Sequence, residues 1–383
     1  MPSAFNRFRA ILWSIHRWIG LLLLIVLVPV GLSGAFLVFD QEIDALLHPS
    51  RYAATGPATL APSEYLSSAS KALEGRAQPM AIRYPGEDGG PVIVQARGGA
   101  REGGPPRFLS VYMDPPTGQV LDVADFRSSL VGLVHRFHEN LTIPEYSGRA
   151  IVGWSGVAML ILSLSGIVLW WPRNGAFLRG LRWRRSPTMS NNLHHIIGFW
   201  ISLPLALVSL TGIYLAFPPQ ARSLMAAIAP MTPQGPRGPF GMPARHTALT
   251  ADRALELARA AAPAARPAAI LLPVAGGRDA AQGPPPVWRV QLRTTSGDTT
   301  VLVDDRSGEA RPQPAPLSGD AAAQWIRWLH EGSHSGTVWR LVVLLTGLAP
   351  TLFSVTGVIM WLRYRRRRKA LTAMAPGVFQ AAE

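Results

Sequence analysis

The chain has 383 residues and a formal net charge of +14, and it contains no cysteine. The lack of cysteine excludes disulfide bonds, covalently attached c-type haem and cysteine-ligated iron–sulfur clusters. The net charge is concentrated in three segments, 1–17, 173–193 and 363–383, which hold 14 of the 37 basic residues and only one of the 23 acidic residues. Because the excess of positive charge is confined to these segments, it does not indicate a nucleic-acid partner.

Four uncharged runs, taken in chain order, predict membrane spans at 18–39, 150–172, 196–221 and 341–362. Each is as long as the roughly 20 residues that a helix needs to cross the hydrocarbon core. The first run is longer than a signal-peptide core of about 7–15 residues, so we expect it to be retained. The protein is therefore predicted to be an integral membrane α-helical protein embedded in the lipid bilayer.

The basic segments predict the orientation of these spans. Cytoplasmic loops are rich in lysine and arginine, which places the N-terminus 1–17, the loop 173–195 and the tail 363–383 in the cytoplasm. The segments 40–149 and 222–340 then lie outside, in the periplasm if the host is a Gram-negative bacterium. We therefore expect the protein in the bacterial inner membrane.

Each outer segment contains a predicted helix followed by predicted strands. The predicted elements are the helices 62–73 and 250–259, and the strands 80–84, 91–97, 108–113, 269–273, 287–293 and 299–303. An Asp-x-x-x-Gly sequence closes each set, at 114–118 and 304–308, and predicts a hairpin turn in which glycine adopts positive φ. Each segment is thus predicted to form a periplasmic α+β module.

The two halves of the chain repeat the same landmarks. His16 and Gly20 correspond to His194 and Gly198, and a Ser-Gly or Thr-Gly pair follows each glycine at the same distance, ending at Gly34 and Gly212. The remaining two spans carry Ser165-Gly166 and Thr356-Gly357 at equivalent places. The predicted fold is therefore a four-helix transmembrane bundle that arose by internal duplication.

Seven of the nine histidines lie near the ends of the spans. The repeat register matches His16 with His194 and His138 with His330, which predicts one symmetric pair towards each face; His135, His195 and His334 remain second candidates. Two imidazoles from facing helices can bind haem iron axially. A path for metal ions is the alternative, although the spans contain no aspartate or glutamate.

Glycines accompany these histidines in all four spans. Gly166 and Gly357 are predicted at the depth of the cytoplasmic pair, and Gly34 and Gly212 near the outer ends of the other two spans. Small residues let a porphyrin approach a helix closely, but they also serve simply to pack helices in lipid. The sequence leaves both roles open.

These motifs resemble the PepSY-associated transmembrane helix family. The resemblance rests on the sequences around His16, His194 and His330, on Trp170-Trp171-Pro172-Arg173, and on Thr356-Gly357 with Trp361. Members of that family often have an acidic residue where Asn192 stands and arginine where His195 stands, so the choice between His194 and His195 stays open.

The resemblance implies a function and its cofactors. The family includes iron-regulated inner-membrane proteins and di-haem ferric-siderophore reductases of the ferrioxamine type, with PepSY-like periplasmic modules. It implies two b-type haems whose axial ligands are His16 with His194 and His138 with His330, and no catalytic residues beyond the haems. A quinol or cytoplasmic donor would then reduce a ferric siderophore in the periplasm. A non-enzymatic sensor that binds peptide, and a metal permease, are the alternatives.

Overall fold

A computed structural model describes residues 4–86, 89–100, 106–143, 145–172, 177–181, 186–233, 244, 246–263, 265–274, 286–295 and 297–374. The chain divides into two compact units. The helical unit comprises Met1–Phe39, Val134–Met231 and Leu317–Glu383, and the sheet unit comprises Asp40–Leu133 and Thr232–Pro316. The sheet unit thus takes residues from both predicted outer segments, 40–149 and 222–340, whereas the ends of those segments belong to the helical unit.

Helices and strands come in separate blocks along the chain. The helices are α1 (Ala4–Leu22), α2 (Leu24–Leu37), α3 (Asp40–Leu47), α4 (Pro62–Leu73), α5 (Leu130–Asn140), α6 (Glu145–Trp170), α7 (Phe177–Gly180), α8 (Met189–Ala216), α9 (Pro218–Ile228), α10 (Ala251–Ala261), α11 (Ser318–Glu331) and α12 (Gly336–Met374). The strands are β1 (Gln78–Arg83), β2 (Val92–Ala100), β3 (Pro106–Met113), β4 (Val120–Asp125), β5 (Arg266–Leu271), β6 (Val287–Thr294), β7 (Gly297–Asp304) and β8 (Ala310–Pro312).

Three helices are long and apolar enough to cross a membrane, namely α6, α8 and α12 within the described residues. The predicted span 18–39 is not one straight helix: α1 and α2 are bent by 69° where they meet, and they count as a fourth span only when taken together. The hydropathy of a segment depends on its length and composition and gives no information about the direction of the helix axis. The break falls in a run of leucines, 21–24, which shows no proline or glycine signal.

Close helix crossings in the helical unit depend on glycine. A Cβ atom on Gly31 of α2 would lie 2.6 Å from the carbonyl oxygen of Gly347 on α12, and one on Gly347 would lie 2.8 Å from the oxygen of Gly31. No side chain fits at these separations, so the two backbones approach as only small residues allow. Helix α6 also uses a glycine at its contact with α8: Gly153 lies against the ring of Phe217, the residue that follows α8.

The sheet unit contains one antiparallel sheet in the order β4-β3-β2-β1-β5-β6-β7-β8. The predicted strands of both outer segments are present, but β1 pairs with β5 and joins the two sets into a single sheet. Helices α4 and α10 pack on this sheet and bury side chains such as Tyr65 and Leu73 against Ile82, Ile270 and Trp288. The two α+β modules therefore share one hydrophobic core.

The two predicted hairpin glycines have the expected backbone. Gly118 has φ +66° and Gly308 has φ +73°, and each donates its N–H to the carbonyl oxygen of the aspartate four residues earlier. An L side chain at either position would force the residue into the sparsely populated left-handed region. This prediction is confirmed.

Candidate functional site

Four histidines form two close pairs in the helical unit. The first pair is His16 of α1 and His194 of α8, with ring centres 6.4 Å apart. The second pair is His138 of α5 and His330 of α11, with ring centres 6.3 Å apart. Each pair thus takes one histidine from each half of the chain, as the repeat register predicts.

The first pair lies among the long apolar helices. The His16 Nδ1 atom is 2.8 Å from the hydroxyl oxygen of Ser165 on α6, and the His194 Nδ1 atom is 2.9 Å from the hydroxyl oxygen of Thr356 on α12. The ring of Phe353 packs edge-on against His194 at 5.1 Å between centres. Both imidazoles are only partly exposed. Each is therefore oriented by a helix other than its own.

The second pair lies on the short helices that precede α6 and α12. Each Nδ1 atom contacts both a hydroxyl and a main-chain carbonyl of a longer helix. The Nδ1 atom of His138 lies 3.1 Å from the Oγ atom of Ser33 and 3.0 Å from the carbonyl oxygen of Val30, both on α2. The Nδ1 atom of His330 lies 3.2 Å from the Oγ1 atom of Thr211 and 3.0 Å from the carbonyl oxygen of Val208, both on α8. The two imidazoles are anchored in the same way.

These contacts favour a proton on Nδ1. The Nδ1 atoms of His138 and His330 contact main-chain carbonyl oxygens, which can only accept, so both rings donate from Nδ1. At His16 and His194 the hydroxyl partners can give their own protons to carbonyl oxygens, Ser165 to Leu162 and Thr356 to Leu352, and then accept from Nδ1. This tautomer leaves the lone pair of Nε2 free, as a metal ligand needs.

Glycine makes room for the rings of the second pair. A Cβ atom on Gly34 would lie 2.8 Å from Cε1 of His138, and a Cβ atom on Gly212 would lie 2.9 Å from Cε1 of His330. At the first pair the glycines do not crowd the rings: a Cβ atom on Gly166 would lie 3.6 Å from His16, and one on Gly357 would meet no heavy atom within 4 Å. Gly34 and Gly212 thus admit imidazole, whereas Gly357 borders open space.

The ring separations suit one metal ion between two opposed imidazoles. Metal–nitrogen bonds of about 2 Å, with about 1.1 Å from each nitrogen to its ring centre, place the centres about 6.2 Å apart. The observed separations are 6.4 and 6.3 Å. Among the described residues no group of three or more His, Asp or Glu side chains is arranged to hold a metal ion. Two imidazoles leave the remaining coordination positions to another ligand.

Burial keeps the second pair neutral. Desolvation lowers the pKa of His138 below its ordinary value, and it lowers the pKa of His330 to about 4, with a smaller contribution from the neighbouring His138. A protonated imidazole cannot bind a metal through the nitrogen that carries the proton. The second pair is therefore held in its ligand form at neutral pH.

The other span-end histidines lie outside the two pairs. His135 is exposed and lies 4.0 Å from the carboxylate of Glu139. His334 is exposed, has φ +58° and stacks on Trp328 with ring centres 4.4 Å apart. His195 follows His194 on α8, but it is His194 that faces His16 and contacts Thr356.

Four hydroxyl residues were missed by reasoning from the sequence. Ser33, Ser165, Thr211 and Thr356 served there only as landmarks for the repeat, yet each anchors one histidine. Their signal was present, because a hydroxyl residue directly precedes the glycine in all four spans. The role of these hydroxyls depends on which helices pack against each other, and the local sequence does not show that.

The two pairs are separated along α8. His194 of the first pair and Thr211, which anchors the second pair, are 17 residues apart on this helix. At 1.5 Å per residue the two sites lie about 25 Å apart along its axis.

Comparison with known proteins identifies a family. A search of curated proteins finds no match for the chain. Residues 13–363 match the family described as PepSY-associated TM region. The match takes in every residue of both histidine pairs and of the hydroxyls that anchor them, and it covers most of the chain. The chain therefore belongs to the PepSY-associated TM region family.

Proposed function

We propose that the protein transfers electrons across the bacterial inner membrane through two b-type haems and reduces a ferric siderophore, such as a ferrioxamine, in the periplasm. His16 with His194 and His138 with His330 would be the axial ligands. The termini and the loop 173–195 would be cytoplasmic, and the four spans and the two periplasmic modules would derive from an internal duplication. The observation that carries this proposal is the geometry of the pairs: the ring centres are 6.3–6.4 Å apart, and each Nδ1 atom contacts a hydroxyl of another helix.

The residues fit haem better than a bare metal ion. Each pair supplies two imidazole nitrogens, and among the described residues no third His, Asp or Glu joins them, so the pair would hold a haem iron better than a bare ion. The space beside Gly357, where a Cβ atom would meet nothing within 4 Å, is of the kind that a flat cofactor needs. Haem would supply one-electron redox chemistry at its iron.

The protein itself would orient the imidazole ligands and keep them unprotonated. The hydroxyls of Ser165 and Thr356 hold the imidazoles of the first pair, and such partners raise ligand basicity and fix ring orientation. Burial keeps His138 and His330 neutral and available. The reaction needs no acid, base or nucleophile, because ferric iron takes up one electron and ferrous iron is held less firmly by hard oxygen ligands. A quinol donor would reduce two ferric ions and release two protons.

The stoichiometry of haem tests the cofactor assignment. We expect the full chain, purified from haem-replete cells, to contain two haems per polypeptide in a pyridine haemochrome assay. His330→Ala should remove one haem, whereas His334→Ala, a matched change four residues away, should leave both. A colourless folded protein would refute the proposal, and so would equal loss in the two variants.

Reoxidation tests the substrate. We expect dithionite-reduced protein to be reoxidised by ferrioxamine in step with the appearance of ferrous iron, which a ferrous chelator can trap. The iron-free siderophore is the control and should leave the protein reduced. Haem that stays reduced in the presence of the ferric complex would contradict the proposed reductase activity while leaving the haem assignment intact.

A further inference from the structure

An open cavity of about 500 Å³ lies in the helical unit between the start of α8 and residues 363–367 of α12. Its lining consists of Pro187, Thr188, Met189, Arg363, Arg366 and Arg367. The three arginines are spaced three and four residues apart on α12 and therefore project from the same face of that helix. The cavity thus combines one side made of cationic side chains with another made of a helix N-terminus.

The positive charge of this cavity has no acidic partner nearby. Within the described part of the chain, Arg363, Arg366 and Arg367 form no ion pair, and Arg363 donates only to the hydroxyl of Ser190 at 3.3 Å. The first turn of α8 contains no acidic residue. The sequence has no aspartate or glutamate between Glu145 and Asp252, or between Glu331 and Glu383. These exposed arginines are therefore available to an anion from outside these elements.

We propose that this cavity binds a phosphate group. Arginine presents paired N–H donors that match phosphate oxygens, and the first N–H groups of a helix lack acceptors within the helix and favour an anion. The volume lies within the range of about 300–1,000 Å³ typical of small-molecule sites. The phosphate belongs either to the headgroup of an anionic lipid or to a soluble phosphate compound, and both present the same chemistry to these residues.

A bound phosphate would join two helices next to the first histidine pair. Met189 lies five residues before His194 on α8, and Arg363 lies seven residues after Thr356 on α12. Linking the start of α8 to this part of α12 would support the hydrogen bond between His194 and Thr356. The inference does not depend on haem, because the cavity is built from residues outside the pairs.

Binding to the detergent-solubilised full chain tests the proposal. The probes are a short-chain phosphatidylglycerol, the matching phosphatidylcholine, and inorganic phosphate, each titrated while the unfolding temperature is measured. We expect saturable stabilisation by phosphatidylglycerol or by inorganic phosphate that persists in about 0.5 M salt, where long-range attraction between exposed charges is screened. Stabilisation by the lipid alone would identify a headgroup, and stabilisation by inorganic phosphate would identify a soluble ligand.

A pair of double variants separates a built site from a basic surface. Arg366→Gln with Arg367→Gln removes two charges that line the cavity, and it should weaken binding at least about tenfold. Arg365→Gln with Arg368→Gln removes the same charge from the same stretch of α12, outside the lining, and should change the affinity less than about threefold. Equal losses in the two variants would overturn the proposal, as would the absence of saturable binding by every probe.

Discussion

Replacing Gly212 by alanine should disturb the second histidine pair, whereas the same change at Gly198 should not. Both glycines lie on α8. A Cβ atom at position 212 would lie 2.9 Å from Cε1 of His330, whereas at position 198 the nearest atom would be Cε1 of Phe353 at 3.9 Å. Carbon atoms in contact prefer about 3.5–4.0 Å, so the imidazole of His330 must move by at least about 0.6 Å in the first variant only.

The magnitude follows from comparing the two variants. Overpacking costs about 1–3 kcal/mol, and the exchange of glycine for alanine inside a helix gains about 1 kcal/mol in both variants. The gain cancels in the comparison. We therefore expect Gly212→Ala to be less stable than Gly198→Ala by about 1–3 kcal/mol, or a few degrees in the unfolding temperature for a unit of this size.

Two measurements check this expectation. Thermal unfolding in detergent reports the packing cost whether or not a cofactor binds. The haem content of the two variants then reports whether displacement of His330 weakens ligation at the second pair alone. Equal unfolding temperatures together with equal haem content would refute the reasoning, because they would show that the ring of His330 does not pack against Gly212.

Three further predictions concern an anchor, a titration and the sheet unit. Thr356→Val removes the acceptor of His194 and should lower the cofactor affinity of the first pair about 10–100-fold in a haem-loss assay, whereas Thr356→Ser should retain it. In the haem-free chain, burial lowers the pKa of His330 to about 4, below its value in the unfolded chain. Its neutral form should therefore add stability that is complete above about pH 6.5 and is lost as the pH falls towards 4; an unfolding midpoint that is constant over that window would contradict this. Asp305→Ala should destabilise the sheet unit by about 2–4 kcal/mol in denaturant unfolding, because the buried carboxylate accepts from Trp288 and from two main-chain N–H groups; Asp305→Asn should cost less.

The pairing of the histidines follows from counting along the repeat. Equivalent residues in two similar halves occupy equivalent places, so the distances from His138 and His330 to the following glycines were enough to choose them over His135 and His334. The structure brings the chosen residues together. Haem binding by these pairs is the prediction that the haemochrome assay tests.

The strands and hairpin turns were also accessible from the sequence. Alternation of β-branched residues and the Asp-x-x-x-Gly turns are local signals, and Gly118 and Gly308 have the positive φ that such turns need. The joining of the two modules was not accessible. The pairing of β1 with β5 uses main-chain hydrogen bonds, which are nearly the same for any sequence. The residues of either strand therefore do not indicate which strand it pairs with.

The sequence by itself determined the apolar helices, the repeat register and the identity of the paired histidines, because these depend on composition and on spacing along one chain. Only the tertiary structure decided the break between α1 and α2, the single shared sheet, and the anchoring of each imidazole by a hydroxyl from another helix. Those features depend on which surfaces meet in space. Two residues more than a hundred positions apart, such as Ser33 and His138, share a hydrogen bond only because folded helices bring them within 3.1 Å.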